Sequence, residues 1–133
     1  MIYDLGLVLI NESILKKKTL SLSEMQALRT HPYNTIGLLR SFEYSEDLKK
    51  AILHHHERYD GKGYPGGLKK TEIPLISRVL SVVDSYCAMT AEKLYGKYFT
   101  RKEALSEIKA GSGTIYDPEV VKAFEEVFRD SVT

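Results

Sequence analysis

The residues best equipped for chemistry stand together at His54-His55-His56-Glu57. These are three of the chain's four histidines, and a loop carrying four of its nine glycines follows through Gly67. At helical spacing, His55 extends an apolar stripe of Leu48, Ala51 and Ile52 that Tyr59 continues. An imidazole aimed at a core needs a partner, since an unsatisfied buried polar group costs roughly 1–3 kcal/mol. On a 3.6-residue helix His56 points about 100° away from His55, so the two cannot easily share one small target. Neighbouring histidines at a helix end suit two adjacent metal ions, or one metal and one substrate contact. The same pattern is satisfied by two core-edge histidines bonded to carbonyls and a third in solvent. In the loop, Asp60-Gly61 and Pro65-Gly66-Gly67 are turn signals, and glycine lets backbone N–H groups approach a ligand closely. With Lys62, Lys69 and Lys70 nearby, the loop could face a phosphate. A solvated glycine loop is the plain alternative.

Taken together, His55-His56-Glu57, Asp60-Gly61 and Gly63-Tyr64-Pro65 resemble the signature of HD-GYP domains. These are all-helical, metal-dependent phosphohydrolases of bacteria whose usual substrate is cyclic di-GMP. The resemblance continues through Glu72-Ile73-Pro74-Leu75, Val79 to Thr90 and Gly113-Thr114-Ile115-Tyr116-Asp117-Pro118, nearly the whole chain. It implies metal ligands at Asp4, at His31 (in His31-Pro32 followed by Gly37), at His55 and His56, and at Asp84, with Asp4 also catalytic. Lys62, Tyr64 and Lys93 are the implied substrate contacts, and Asp60, Gly61, Gly63 and Pro65 shape the loop over the site. Such a histidine–carboxylate set suits Fe or Mn, and also Zn or Ni, as one or two ions. In the family, bridged metals activate a water for in-line attack on phosphorus and stabilise the leaving oxygen.

Three positions depart from the family pattern. Tyr3 stands where histidine is expected, Leu7 where lysine is expected, and Cys87 where relatives often carry a second aspartate. A phenol titrating near 10 is a poor ligand at neutral pH, and leucine cannot contact phosphate. The five candidates can dress one metal, but a second is short of a ligand. The family's leading helices, which close over the site, are not expected here because the chain begins at the motif. Two functions from different classes follow. One is a cyclic di-GMP phosphodiesterase of reduced rate. The other is a degenerate module that binds, without turnover, a cyclic dinucleotide or a signalling protein such as a diguanylate cyclase domain. A fragment of a longer parent, or a homodimer whose partner covers Leu5, Val8 and Leu9, would supply the missing wall.

The elements that must position these residues read as follows. Met1 to Ile10 is the end of a buried helix or a short strand, and Asn11 to Ser23 a polar connector with a solvated Lys16-Lys17-Lys18 knot. Ser21 and Glu24 have capping-box spacing, so a helix starts near Leu22 and stops at Thr30 or His31, before Pro32. Pro32 suits the first turn of the next helix, ending near Ser41. Ser45 caps a histidine helix running to Arg58. Pro74 to Leu94 is the longest helix, with an apolar face of Ile76, Val79, Leu80, Val83 and a buried Cys87, and Asp84 beside it. Thr100 or Arg101 to Ala110 and Asp117-Pro118 to about Arg129 complete the chain. No segment alternates convincingly as a strand, so the expectation is an all-α domain of about five to seven helices.

Composition fits one domain over residues 1–133, at 43% apolar and 28% charged residues. A net charge of +1 advertises neither a nucleic acid polymer nor an anionic membrane. No apolar run approaches the roughly 20 residues needed to span a bilayer. One cysteine excludes an internal disulfide and suits a reducing cytoplasm.

Overall fold

The computed structural model describes residues 2–91 and 99–130, the last two without their side chains. Its contacts fall into two compact units, Met1–His54 and His55–Thr133. Among the described residues there are seven α-helices and no strand, only an isolated bridge between Ser112 and Tyr116. The expected all-α class holds.

The first unit is built on a tight packing of its start against a later helix. Ile2–Leu9 forms a 3-10 segment rather than the expected α-helical end or strand, and it lies on α3, His31–Leu38. The Gly6 N–H donates to Thr35 Oγ1 at 2.8 Å, and that hydroxyl is 2.9 Å from the Tyr3 carbonyl and 3.0 Å from the His31 carbonyl. A Cβ on Gly6 would stand 2.1 Å from the His31 carbonyl oxygen, so only glycine allows this approach. Between these segments lie α1, Glu12–Leu15, within the stretch expected as connector, and α2, Leu22–Leu28. The Ser21–Glu24 capping box forms as expected. Pro32 sits in the first turn of α3, and a 3-10 turn, Leu39–Ser41, carries the chain to the expected end.

The last helix of this unit, α4, spans Glu46–Leu53 with Ser45 Oγ accepting from the Leu48 N–H. Ala51 and Ile52 of the expected stripe are buried, whereas Leu48 is 43% exposed. The helix stops five residues before the expected Arg58. His54 leaves helical geometry at φ −105°, ψ 16°, and His54 to His56 form a turn.

In the second unit, α5 (Leu75–Thr90), α6 (Arg101–Ala110) and α7 (Pro118–Asp130) share a core of Val82, Ile108, Tyr116 and Val121. Tyr86, Met89, Val120 and Phe124 pack around it. The face of α5 that is buried therefore differs from the expected one. Ser77 and Val82 are the buried residues, while Ile76, Val79 and Cys87 are exposed. The reason is tertiary: α6 and α7 cover the Val82–Tyr86–Met89 edge. Thr100 caps α6 through a capping box with Glu103, and Asp117 caps α7 by accepting the Glu119 N–H at 2.8 Å. Asp117 also pairs with Arg78, whose Nε donates to the Ile73 carbonyl at 2.9 Å. That buried pair joins the starts of α5 and α7.

Candidate metal centre

Within the first unit, the 3-10 segment and α3 bring Asp4 and His31 together, with His31 Nε2 3.6 Å from Asp4 Oδ1. The His31 ring is buried, and its Nδ1 lies 2.8 Å from the Leu28 carbonyl. A carbonyl can only accept, so Nδ1 carries the proton and the Nε2 lone pair of the neutral ring faces the carboxylate. Two lone-pair atoms so placed call for a cation between or beside them, either a proton or a metal. The proton case registers directly. Burial pushes the His31 pKa down, but the Asp4 hydrogen bond, the Leu28 carbonyl and the Asp4 charge outweigh it, so the pKa is raised above its ordinary value. An outer carbonyl that fixes the tautomer of a ligand histidine is also the support such ligands need. The donor chemistry of this pair fits a divalent metal.

Within the second unit, His55, His56 and Asp84 line one pocket of about 150 Å³ with Glu57, Arg58, Ser81, Ser85, Ile115 and Tyr116. His55 is 2% exposed and the His56 ring half-buried. Their ring centroids are 4.0 Å apart at 42°, and one nitrogen of each lies within 4.8 Å of the other. The expected 100° divergence is therefore overturned. It holds for a helix, and these residues occupy a turn. Two imidazoles so placed can serve one small target.

The glycine loop folds back on this turn. Glu57, 4% exposed, accepts from the Gly66 N–H at 2.6 Å and the Leu68 N–H at 3.1 Å. Tyr64 donates its N–H to the His56 carbonyl at 3.3 Å, and its ring stacks on the His56 ring at 4.9 Å and 24°. A Cβ on Gly63 would stand 2.3 Å from the Arg58 nitrogen, and Gly61 takes φ +79°. Pro65 follows Tyr64 through a cis peptide. Asp60 accepts two bonds from Arg58 and one from the Lys62 N–H. The Arg58 guanidinium, then the Lys62 N–H, hold its carboxyl down at about 2. Asp60 is thus committed to shaping the loop, while the Lys62 side chain is exposed. A neighbouring turn braces the loop, as Tyr59 and Asp60 donate to the carbonyls of Ile115 and Thr114.

The expected substrate contact Lys93 lies outside the described residues. Tyr3 is 5% exposed, and Leu7 is half-buried. Cys87 was expected to be a small buried residue, but its position on α5 faces away from the α6–α7 core and it is exposed. Glu57 stood within the recognised motif without a role. Ser81, one turn before Asp84, and Tyr116 had no sequence signal beyond helical spacing and the Gly113-to-Pro118 resemblance.

A family model described as the HD domain matches residues 1–120. The chain belongs to the HD domain family. Its curated relatives bear out the resemblance to cyclic-dinucleotide phosphodiesterases. A cyclic di-GMP phosphodiesterase of Thermotoga maritima is 41% identical over 128 residues, covering 92% of this chain and 34% of the relative. One of Pseudomonas aeruginosa is 35% identical, over 93% of this chain and 30% of its own length. A 3'3'-cGAMP-specific phosphodiesterase of Vibrio cholerae is 29% identical, over 95% of this chain and 28% of its own length. This HD domain thus spans about a third of the length of the curated relatives it matches. The crystal structure of a cyclic GMP-AMP specific phosphodiesterase of Vibrio cholerae shares its fold, with a TM-score of 0.71 at 22% identity, over 96% of this chain and 36% of that one. HD domains carry divalent metal, and the His/Asp sets of both units have the donor chemistry for it. Among the described residues, no helix of this HD domain is long and apolar enough to cross a membrane.

Proposed function

We propose that this HD domain is the hydrolytic part of a cyclic di-GMP phosphodiesterase, acting in the cytoplasm on the phosphodiester of a cyclic dinucleotide. The supporting observation is the pocket in which the paired imidazoles of His55 and His56 open beside Asp84. Asp4, His31, His55, His56 and Asp84 are the proposed ligands of a divalent metal, Fe or Mn in first place and Zn or Ni in second. Bound there, the metal would supply Lewis-acid activation of water and of the phosphoryl oxygens. The chain's own residues do the rest. The Leu28 carbonyl holds the tautomer of His31, and Asp4 offers a carboxylate that can take a proton from the attacking water. The loop over Asp60 to Pro65 would shape substrate access, and Lys62 stands exposed on it as a cation for the substrate's second phosphate.

The test is direct. Protein purified without chelator is expected to hold one or two ions of Fe or Mn per chain and to hydrolyse cyclic di-GMP. Retained metal with no hydrolysis of cyclic di-GMP or of bis(p-nitrophenyl) phosphate sinks the catalytic reading.

A second reading is favoured by the buried Tyr3 and by Leu7, at positions where the family pattern has histidine and lysine. The domain would then bind a cyclic dinucleotide, or a signalling protein such as a diguanylate cyclase domain, without turnover. Tyr3→His with Leu7→Lys separates the two: a sharp gain in hydrolysis over an inactive wild type supports the degenerate module, and an active wild type that gains nothing supports the enzyme as it stands.

A further inference from the structure

Glu57 is more deeply buried than any other carboxylate facing the pocket, and both of its oxygens are used on the loop that follows. One accepts from Gly66 and the other from Leu68, nine and eleven residues along the chain. A buried carboxylate is expensive unless its oxygens are hydrogen-bonded, and two backbone donors from one turn satisfy it. The donors can converge because Gly67 between them takes φ +65°. Upstream of the same turn, Gly63 passes so close to the Glu57–Arg58 backbone that a Cβ would fall 2.3 to 2.6 Å from it. The two residues between these fixed points are Tyr64 and Pro65. Tyr64 is thereby pinned on both sides, with its N–H on the His56 carbonyl and its ring on the His56 ring. The half-buried ring is stacked on His56, which itself lines the pocket.

We propose that Glu57 is a positioning residue which, by clamping the turn at Gly66 and Leu68, holds Tyr64 as a wall over His56. That wall sets how a cyclic dinucleotide enters the pocket of His55, His56 and Asp84. The inference rests on the phosphodiesterase reading for its substrate, but the clamp itself is independent of it. Glutamine offers one acceptor where the turn presents two donors, so Glu57→Gln leaves one N–H facing an amide NH2 and releases the wall without removing the side chain's volume. Tyr64→Ala removes the wall and leaves the clamp.

The experiment compares wild type, Glu57→Gln and Tyr64→Ala as metal-loaded protein. Both variants are expected to raise KM for cyclic di-GMP about tenfold while kcat changes less than about twofold, with metal per chain unchanged. The double variant should add nothing to either. In NMR spectra of the same three proteins loaded with diamagnetic Zn, the ring protons of His56 should lose in both variants the upfield shift that the stacked tyrosine imposes. A lower Tm in Glu57→Gln with KM and the His56 shift unmoved would overturn the proposal, leaving Glu57 a stability residue. Loss of metal from Glu57→Gln would overturn it too, by moving its action to the ligands. If Glu57→Gln does not fold, Tyr64→Ala carries the KM test, and an unchanged KM there is equally fatal. Should wild type neither bind nor hydrolyse cyclic di-GMP, the phosphodiesterase reading falls. The His56 shift then decides the clamp by itself, and its persistence in Glu57→Gln would overturn it.

Discussion

At the scale of single residues, the first unit depends on an atom that is missing. Gly6 sits where a methyl group would meet the His31 carbonyl at 2.1 Å and the Thr35 nitrogen at 2.6 Å. Both are backbone atoms of α3 and cannot rotate away. Overpacking of this kind typically costs 1–3 kcal/mol, so Gly6→Ala is expected to destabilise the protein by about 3 kcal/mol in urea unfolding. Because the same residues carry Asp4 toward His31, metal content should fall with it. A fully stable, metal-replete Gly6→Ala protein would show that the 3-10 segment is not seated on α3 as described. Asp60 gives a pH signature of its own. Its carboxyl is held at about 2, against an ordinary 3.8. A depressed carboxylate contributes stability above its unfolded pKa, and that contribution drains away as pH falls through the folded one. Wild type should therefore exceed Asp60→Asn in stability by a constant margin above about pH 5. The margin should close between about pH 4 and pH 2. A margin that widens with acid would contradict the Arg58 and Lys62 contacts.

At the scale of elements, what was legible in the sequence is what is local. The Ser21–Glu24 capping box, the Ser45 cap and the Asp117-Pro118 start all form where the spacing placed them, because each is closed within a single turn of chain. The histidine helix was misjudged in length for the opposite reason. Nothing near His54 breaks a helix. The turn there is joined to contacts made far along the chain, at Gly63, Gly66 and Leu68. The same holds for α5, where an apolar face and a buried face are different things until α6 and α7 choose between them. The candidate ligands were recognisable by type and motif, whereas the side-by-side setting of His55 and His56 depends on that unforeseen turn. One joint between elements is open to test. Arg78 pairs with a nearly fully buried Asp117 and ties α5 to α7. Removing one partner of such a pair leaves an uncompensated charge, at about 3–5 kcal/mol. Arg78→Leu is expected to lose about 3 kcal/mol, and Arg78→Leu with Asp117→Asn to recover part of it. A single substitution costing under about 1 kcal/mol would mean that the pair is solvated in solution.

At the scale of the whole molecule, the proposed ligands are drawn from both compact units. Asp4 and His31 come from the first, and His55, His56 and Asp84 from the second. Metal that binds only the native chain stabilises it by mass action, by about 2.7 kcal/mol at a hundredfold excess over Kd. For a chain of this size that corresponds to a rise in Tm of about 8–14 °C. If the five residues hold the metal jointly, the gain must reach both units at once. Scanning calorimetry with added Mn is then expected to show one transition moving upward. Chelator should lower it and let the transition broaden or split. His31→Ala and Asp84→Ala, one in each unit, should each abolish most of the metal-dependent rise, since neither remaining set holds the ion well alone. A rise that survives His31→Ala would place the ion on His55, His56 and Asp84 only. Asp4 and His31 would then be a proton-bridged structural pair, as the raised His31 pKa also allows.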